Sequence, residues 1–380
     1  MARVRPFHGT RYAVPGLGPV VSPPYDVIPE EALAGYRERS PYNVVRLIRP
    51  GTDYAGAAAL KQSWLDSGVL ADDRGPAFYL HEQRFSGRSR RGLIGAVRLS
   101  AYGEGEVLPH ERTHGGAKAD RLELYRATAT AFEPLWFVYQ GTGTELPKLL
   151  DTGFAAEPTS CFTTDDGSEH RFWTATDGAW QEAVSAAFAV LPLLIADGHH
   201  RYETAMTYAA EVGASGEAAA NHAMVLLVDI EDPGLVVLPT HRVMRIAPIA
   251  VTGGEPSGSL AEMFAALPGR VAAGHYAGGR FQVLPLEGDV ALVELHRQLI
   301  DNLLGKRSAE EVLIYTRDPA EAVRWVDEGE GQQAFFLDTP DLAVVLNLAQ
   351  AGKVLPQKST FFHPKPPSGM VFQRLDRPEP

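Results

Sequence analysis

Apolar positions recur at two spacings along this chain, and each change of spacing marks an element. "AFYLHEQRF" (77–85) and "GLIGAVRL" (92–99) read as two strands around a short basic tip, "GRSRRG" (87–92). "PLWFVYQ" (134–140) and "AVLPLLIADG" (189–198) are nearly continuous apolar runs, the pattern of buried strands. "YNVVRLI" (42–48), dense in β-branched residues, predicts another strand. Helical spacing appears in "YAGAAALKQSWLDSGVL" (54–70), in "KADRLELYRATATAF" (118–132) and in "RYETAMTYAAEV" (201–212), which Gly213 would stop. A further helix is expected to begin near Pro29, with Glu30 and Glu31 at the positive end of its dipole. "AMVLLVDI" (223–230) and "LVVLPTHRVM" (235–244) predict an antiparallel pair joined by "EDPG".

Strands and helices alternate without a fixed period and no internal repeat is visible, so the expected fold class is mixed α/β. The 380 residues exceed what one core usually holds, which predicts two lobes. "TGGEPSG" (252–258) is the linker candidate. It divides the chain into an N-terminal α/β lobe over 1–252 and a smaller α/β lobe over 259–380. The Pro-rich tail carries Phe361, Phe362, Met370 and Phe372, and is expected to dock on the core.

Composition narrows the function classes. Hydrophobic residues are 45% and charged residues 22%, an ordinary globular balance. No apolar run reaches the roughly 18 residues of a bilayer span. "MARVRPFHGTRY" is basic but lacks the apolar stretch of a secretory signal. Cys161 is the one cysteine, so an internal disulfide is excluded and a cytoplasmic location is expected. It sits in a polar stretch with no activating base nearby in sequence and reads as a bystander. The net charge of −12 argues against nucleic acid as a partner.

Three stretches carry candidate chemistry. In "LLIADGHHRYETA" (193–205) a buried strand ends in Asp197-Gly198-His199-His200-Arg201, and a helix follows. Strand end, glycine and helix N-terminus together gather backbone N–H groups, which suits a phosphate. Gly198 would let the backbone approach it and Arg201 would add a charge-assisted grip. A plain turn and a metal site are the other two readings. In "HERTH" (110–114) the letters match the H-E-x-x-H zinc signature, but Pro109 before it and Gly115-Gly116 after it leave no room for the helix that signature needs. A polar loop lining a site, with His110 against substrate and Glu111 as acid/base or Mg²⁺ ligand, and a surface loop with no role are the other two readings. In "SPPYDVI" (22–28) two prolines stiffen the chain beside Tyr25 and Asp26. Asp26 is then either a helix cap or a general base over a cleft. "LPTHRV" (238–243) and "KSTFFHPKPPSG" (358–369) offer Thr240 and Lys365 as further phosphate donors, and Arg121 follows the HERTH segment as a substrate-binding candidate. No Walker-type loop and no G-x-G-x-x-G between strand and helix is present.

Six of these motifs, "VVSPPYDVI", "YNVVRLI", "LPHERT…KADRLELYRA", "DGHHRYETA", "LPTHRV" and "QKSTFFHPKPPSG", occur in an order that resembles the bacterial and archaeal family known as domain of unknown function 1015. The resemblance spans about residues 5–375 and implies no established reaction. "IADGHHRYETA" is also similar to the nucleotide turn of the ParB/sulfiredoxin-like superfamily, whose members include free-serine kinases, CTP hydrolases and sulfinic-acid reductases. That likeness covers about a dozen residues. It implies a ParB/sulfiredoxin-like nucleotide-binding core with an additional mixed-sheet lobe, and phosphates held by Gly198, His199, His200 and Arg201 beside Asp197. Reductase chemistry needs a cysteine in the turn, and partition proteins carry a basic DNA-binding region. This chain has neither. The expectation that remains is a kinase using ATP or ADP with Mg²⁺, acting on a small hydroxyl compound such as L-serine. Asp26 or Glu111 would serve as base and His200 as donor. A non-catalytic nucleotide-binding regulator and a zinc hydrolase are the alternatives. Oligomeric state is not legible.

Overall fold

Residues 77–99 form the hairpin that their alternation predicts. The strands Phe78–Phe85 and Arg88–Arg98 pair antiparallel, with Tyr79 opposite Ile94. The connection is the two residues Ser86 and Gly87, at φ 47° and 74°, as a type I′ turn requires. Arg88, Arg90 and Arg91 therefore belong to the strand and not to the tip. The protein is known here from a computed structural model, which describes residues 3–104, 106–111, 118–246, 251–301 and 307–377. Its architecture is mixed α/β.

The chain forms two compact units. The first comprises the described residues up to 109, 118–235 and those from 364 onward; the second comprises residues 110–111 and 236–363. In the first unit the hairpin is the middle of a nine-stranded sheet. His222–Asp229 pairs antiparallel with Arg88–Arg98 and parallel with Leu135–Tyr139. Leu135–Tyr139 in turn pairs antiparallel with Leu193–Asp197. Val107–Leu108 forms one edge, and Glu169–Ala175 followed by Ser160–Thr163 the other. Val4–Arg5 lies beside Arg88–Arg98. The apolar runs are buried along their whole length: all five residues of Leu135–Tyr139 are inaccessible or nearly so. Phe137, Ile195 and Val225 share one core with Tyr202 and Phe188 from helices on that face. Each such side chain contributes about 1.5–3 kcal/mol by leaving water.

A second, four-stranded sheet in this unit orders Leu70–Asp72, Gly9–Tyr12, Phe372–Arg374 and Thr130–Ala131. The tail supplies an interior strand of this sheet. Phe372 packs edge-on against both Tyr12 and Phe132.

Two readings from local pattern are corrected. "YNVVRLI" is no strand: Val45–Ile48 is a short helix. Asn43 holds it, accepting from Val45 N (3.0 Å) and donating to Pro19 O (2.9 Å) and Val21 O (3.0 Å), while Val44, Val45, Leu47 and Ile48 are wholly buried. Tertiary contacts outweigh β propensity here. Nor do "AMVLLVDI" and "LVVLPTHRVM" form a hairpin. The latter splits at Thr240 into Val236–Pro239, which pairs with Thr360–His363, and His241–Met244.

In the second unit His241–Met244 joins a six-stranded sheet in the order Glu255–Ser257, Arg280–Pro285, Ala272–Ala277, Gln333–Phe336, His241–Met244 and Leu313–Thr316. The "TGGEPSG" stretch thus contributes an edge strand of this sheet. Met263, Phe336 and Ala322 form its core with the helices Leu260–Ala265 and Pro319–Asp327. Among the described residues no helix is long and apolar enough to cross a membrane.

Candidate functional site

The end of the strand Leu193–Asp197 is displaced by one residue. Ile195 faces Phe137 but Asp197 faces Trp136, so Ala196 is a bulge that re-aims Asp197. Gly198 follows at φ 98° and caps the helix His199–Glu211. A Cβ at Gly198 would stand 2.8 Å from Leu135 Cδ2 and 3.3 Å from the Arg201 guanidinium. No side chain caps this helix and its first turn holds no acid. Its leading N–H groups lie at the positive end of the helix dipole, which favours an anion. His199 and His200 stand half-buried in that first turn.

Four chain segments bring charge to this corner. Arg201 is almost fully buried; it donates to Asp197 Oδ2 (2.6 Å) and to Pro134 O (3.2 Å), and lies 3.9 Å from Glu133 Oε2. Lys365 arrives from the tail and places its ammonium 2.7 Å from Asp197 Oδ1 and 2.7 Å from Asp26 Oδ2. Asp26 therefore caps no helix; Pro29 takes that position. Burial alone would raise the Asp197 pKa, but Lys365 and Arg201 outweigh it and hold the carboxylate below its ordinary range. Burial likewise opposes the charge on Lys365, yet Asp197 and Asp26 raise its pKa on balance. Arg201 follows the same logic, with Glu133 and Asp197 overcoming burial. Asp26, Lys365, Asp197, Arg201 and Glu133 are thus one chain of alternating charge.

Sequence reasoning missed three contributors. Glu133 accepts from Ser368 Oγ (2.8 Å) and Tyr25 N (3.3 Å), so one carboxylate ties the "SPPYD" and "KPPSG" segments together. Backbone pairing between Ser22 and Ser368 does the same. Arg90, with no exposed side chain, donates to Pro364 O (2.6 Å) and stacks 4.2 Å over Trp136, fixing the backbone beside Lys365. The matching pairs of prolines were the available signal. Tyr25 and Arg121 are also here: the Arg121 guanidinium lies 4.2 Å over the Tyr25 ring and is paired with Asp120. Arg121, Glu133, Arg201, Thr204 and Tyr125 line a cavity of about 20 Å³, room for about one water molecule.

Asp26, Tyr25, Arg121, Asp197, Gly198, His199, His200, Arg201 and Lys365 all belong to the first unit. His110, Glu111 and Thr240 belong to the second. There Glu111 accepts backbone N–H groups from Lys358, Ser359 and Thr360, and His110 Nε2 lies 2.8 Å from Thr360 Oγ1. His114, the second histidine of the zinc signature, lies outside the described residues. Among the described residues no group of three or more His, Cys, Asp or Glu could hold a metal. The two carboxylates best placed for a cation, Asp26 and Asp197, are spanned by the Lys365 ammonium. The donor set does not fit a protein-held Mg²⁺.

Residues 4–328 match the family described as Protein of unknown function (DUF1015). No curated protein matches the chain. Solved structures that resemble it include a free serine kinase in complex with AMP, 16% identical over 68% of this chain and 83% of that one, with a TM-score of 0.38. A conserved hypothetical protein from Pyrococcus furiosus is 17% identical over 71% and 93%, with a TM-score of 0.39. SbnI with a C-terminal truncation, from Staphylococcus aureus, is 11% identical over 76% and 90%, with a TM-score of 0.41.

Proposed function

The chain belongs to the DUF1015 family of proteins of unknown function, and for this member we propose a cytoplasmic phosphotransferase that moves a phosphoryl group from ATP or ADP to a small hydroxyl compound, L-serine first among them. One observation carries the reading. A single ammonium, Lys365, is held between Asp26 and Asp197 at the N-terminus of a helix opened by a left-handed glycine. The helix N–H groups and the half-buried His199 and His200 hold the nucleotide phosphates. Mg²⁺ enters with the nucleotide as part of that substrate. Arg201, turned inward to Asp197 and Pro134, is a positioning residue: it fixes the carboxylate that fixes Lys365.

Asp26 is more exposed than Asp197 and serves as general base. It takes the proton of the attacking hydroxyl as the new P–O bond forms and the bond to the nucleotide's bridging oxygen breaks. Lys365 balances charge on the transferring oxygens. Arg121, over Tyr25, is the candidate for the acceptor's carboxylate. In this reading Glu111, whose oxygens are taken up by backbone donors, plays no part in the transfer.

The test is ³¹P NMR of the protein with Mg²⁺, L-serine and ATP or ADP in turn. A phosphomonoester resonance that grows only with serine is expected. Asp26→Asn should slow it by about a hundredfold or more while nucleotide lines still broaden, the usual range for loss of a general base. Broadened nucleotide lines without turnover for any hydroxyl compound would instead make the protein a nucleotide-binding regulator.

A further inference from the structure

In the second unit, three successive backbone N–H groups converge on one point. Lys358 sits at φ 55°, a left-handed conformation that disfavours a residue with a Cβ. That bend turns the N–H groups of Lys358 (3.0 Å), Ser359 (2.7 Å) and Thr360 (3.4 Å) toward the Glu111 carboxylate. A concave run of this kind is an anion nest. His110 closes one side, its Nε2 3.5 Å from Glu111 Oε1. Arg242 lies close enough to the nest for the Glu111 carboxylate to favour its charge. It is fully buried, donates to the carbonyls of Thr240 and Lys358 and to His296 Nε2, and forms no ion pair with a carboxylate among the described residues. Its guanidinium and the Lys358 ammonium share the Tyr315 ring, at 5.8 and 5.0 Å.

We propose that the Lys358–Thr360 turn is a binding site for a phosphate-monoester or inorganic phosphate anion, and that Glu111 is its internal occupant, displaced when the ligand arrives. A phosphate offers three oxygens and up to two charges to three N–H donors and two cations, where the carboxylate offers two oxygens and one charge. The site is independent of the chemistry assigned to the first unit, and it gives the left-handed Lys358 a purpose that a simple loop would not need.

The chain has seven lysines, so ¹⁵N-lysine labelling of the full protein resolves the Lys358 amide, assigned through Lys358→Arg, apart from Lys365 in the other unit. Inorganic phosphate should shift the Lys358 amide saturably in the wild-type protein. Glu111→Gln, which removes the competing charge, should tighten that binding about tenfold. Glu111→Asp, with a carboxylate too short to fill the nest, provides the same reading if the first variant does not fold. AMP in place of phosphate distinguishes a nucleotide-borne phosphoryl group from the free ion; a saturable shift with either supports the site. A Lys358 amide that stays still with both probes, or a folded variant that binds no tighter than wild type, would overturn it.

Discussion

Gly198 is constrained from inside the protein as much as by anything that binds. Its φ of 98° and the 2.8 Å approach to Leu135 Cδ2 leave no place for a methyl group. Gly198→Ala should therefore destabilise the fold by about 2–4 kcal/mol, combining left-handed strain with overpacking. Urea denaturation measures this directly, and a loss below about 0.5 kcal/mol would show that the turn relaxes freely. The sequence made this glycine legible, because a strand, a glycine and a helix in succession leave few other geometries. It did not reveal the direction of Arg201. Its motif suggests a grip on phosphate; the partners of the guanidinium in the fold are Asp197, Pro134 and Glu133, the last two remote in sequence. Lys365 reads as a donor from its motif, and its partners Asp26 and Asp197 come from two other segments.

At the scale of elements, period and burial were readable where a segment is long. The central hairpin follows from alternation, the two apolar strands from their continuous apolar runs and the helix His199–Glu211 from helical spacing. Short segments were not readable, because a single side chain can decide them. Asn43 shows this: its three bonds turn a β-branched run into helix. Asn43→Ala would leave one buried carbonyl, Val21 O, and one buried N–H, Val45 N, without their partner. The expected loss is about 2 kcal/mol or more, at about 1–3 kcal/mol for each unsatisfied group. Chemical denaturation of the variant tests it; a change under about 1 kcal/mol would mean that water satisfies these groups instead. Likewise, nothing local in "LVVLPTHRVM" announces that its two halves serve different ladders.

Across both units, several buried histidines are held below their ordinary pKa. Burial lowers the pKa of His170 and His222 in the first unit, and of His241 and His296 in the second, to about 4. The unfolded chain protonates these rings near their ordinary value of 6.5. Above that pH neither state holds the proton, and the rings add no pH dependence. Between about 6.5 and 4 the unfolded state takes up protons first, so stability falls as pH falls, by about 1.4 kcal/mol per unit for each ring. The thermal midpoint should be level near pH 7–8 and drop steeply below about 6; a midpoint unchanged down to about pH 5 would refute the burial of these rings. The docked tail has a consequence of another kind, in time. Residues 364–374 close the cradle and fill an interior place in the four-stranded sheet, yet translation delivers them after the entire second unit. A nascent chain can fold its early segments as they emerge. Asp26 and Asp197 nevertheless wait for their shared ammonium until the second unit has been made, so a polypeptide released before then would carry an unfinished cradle.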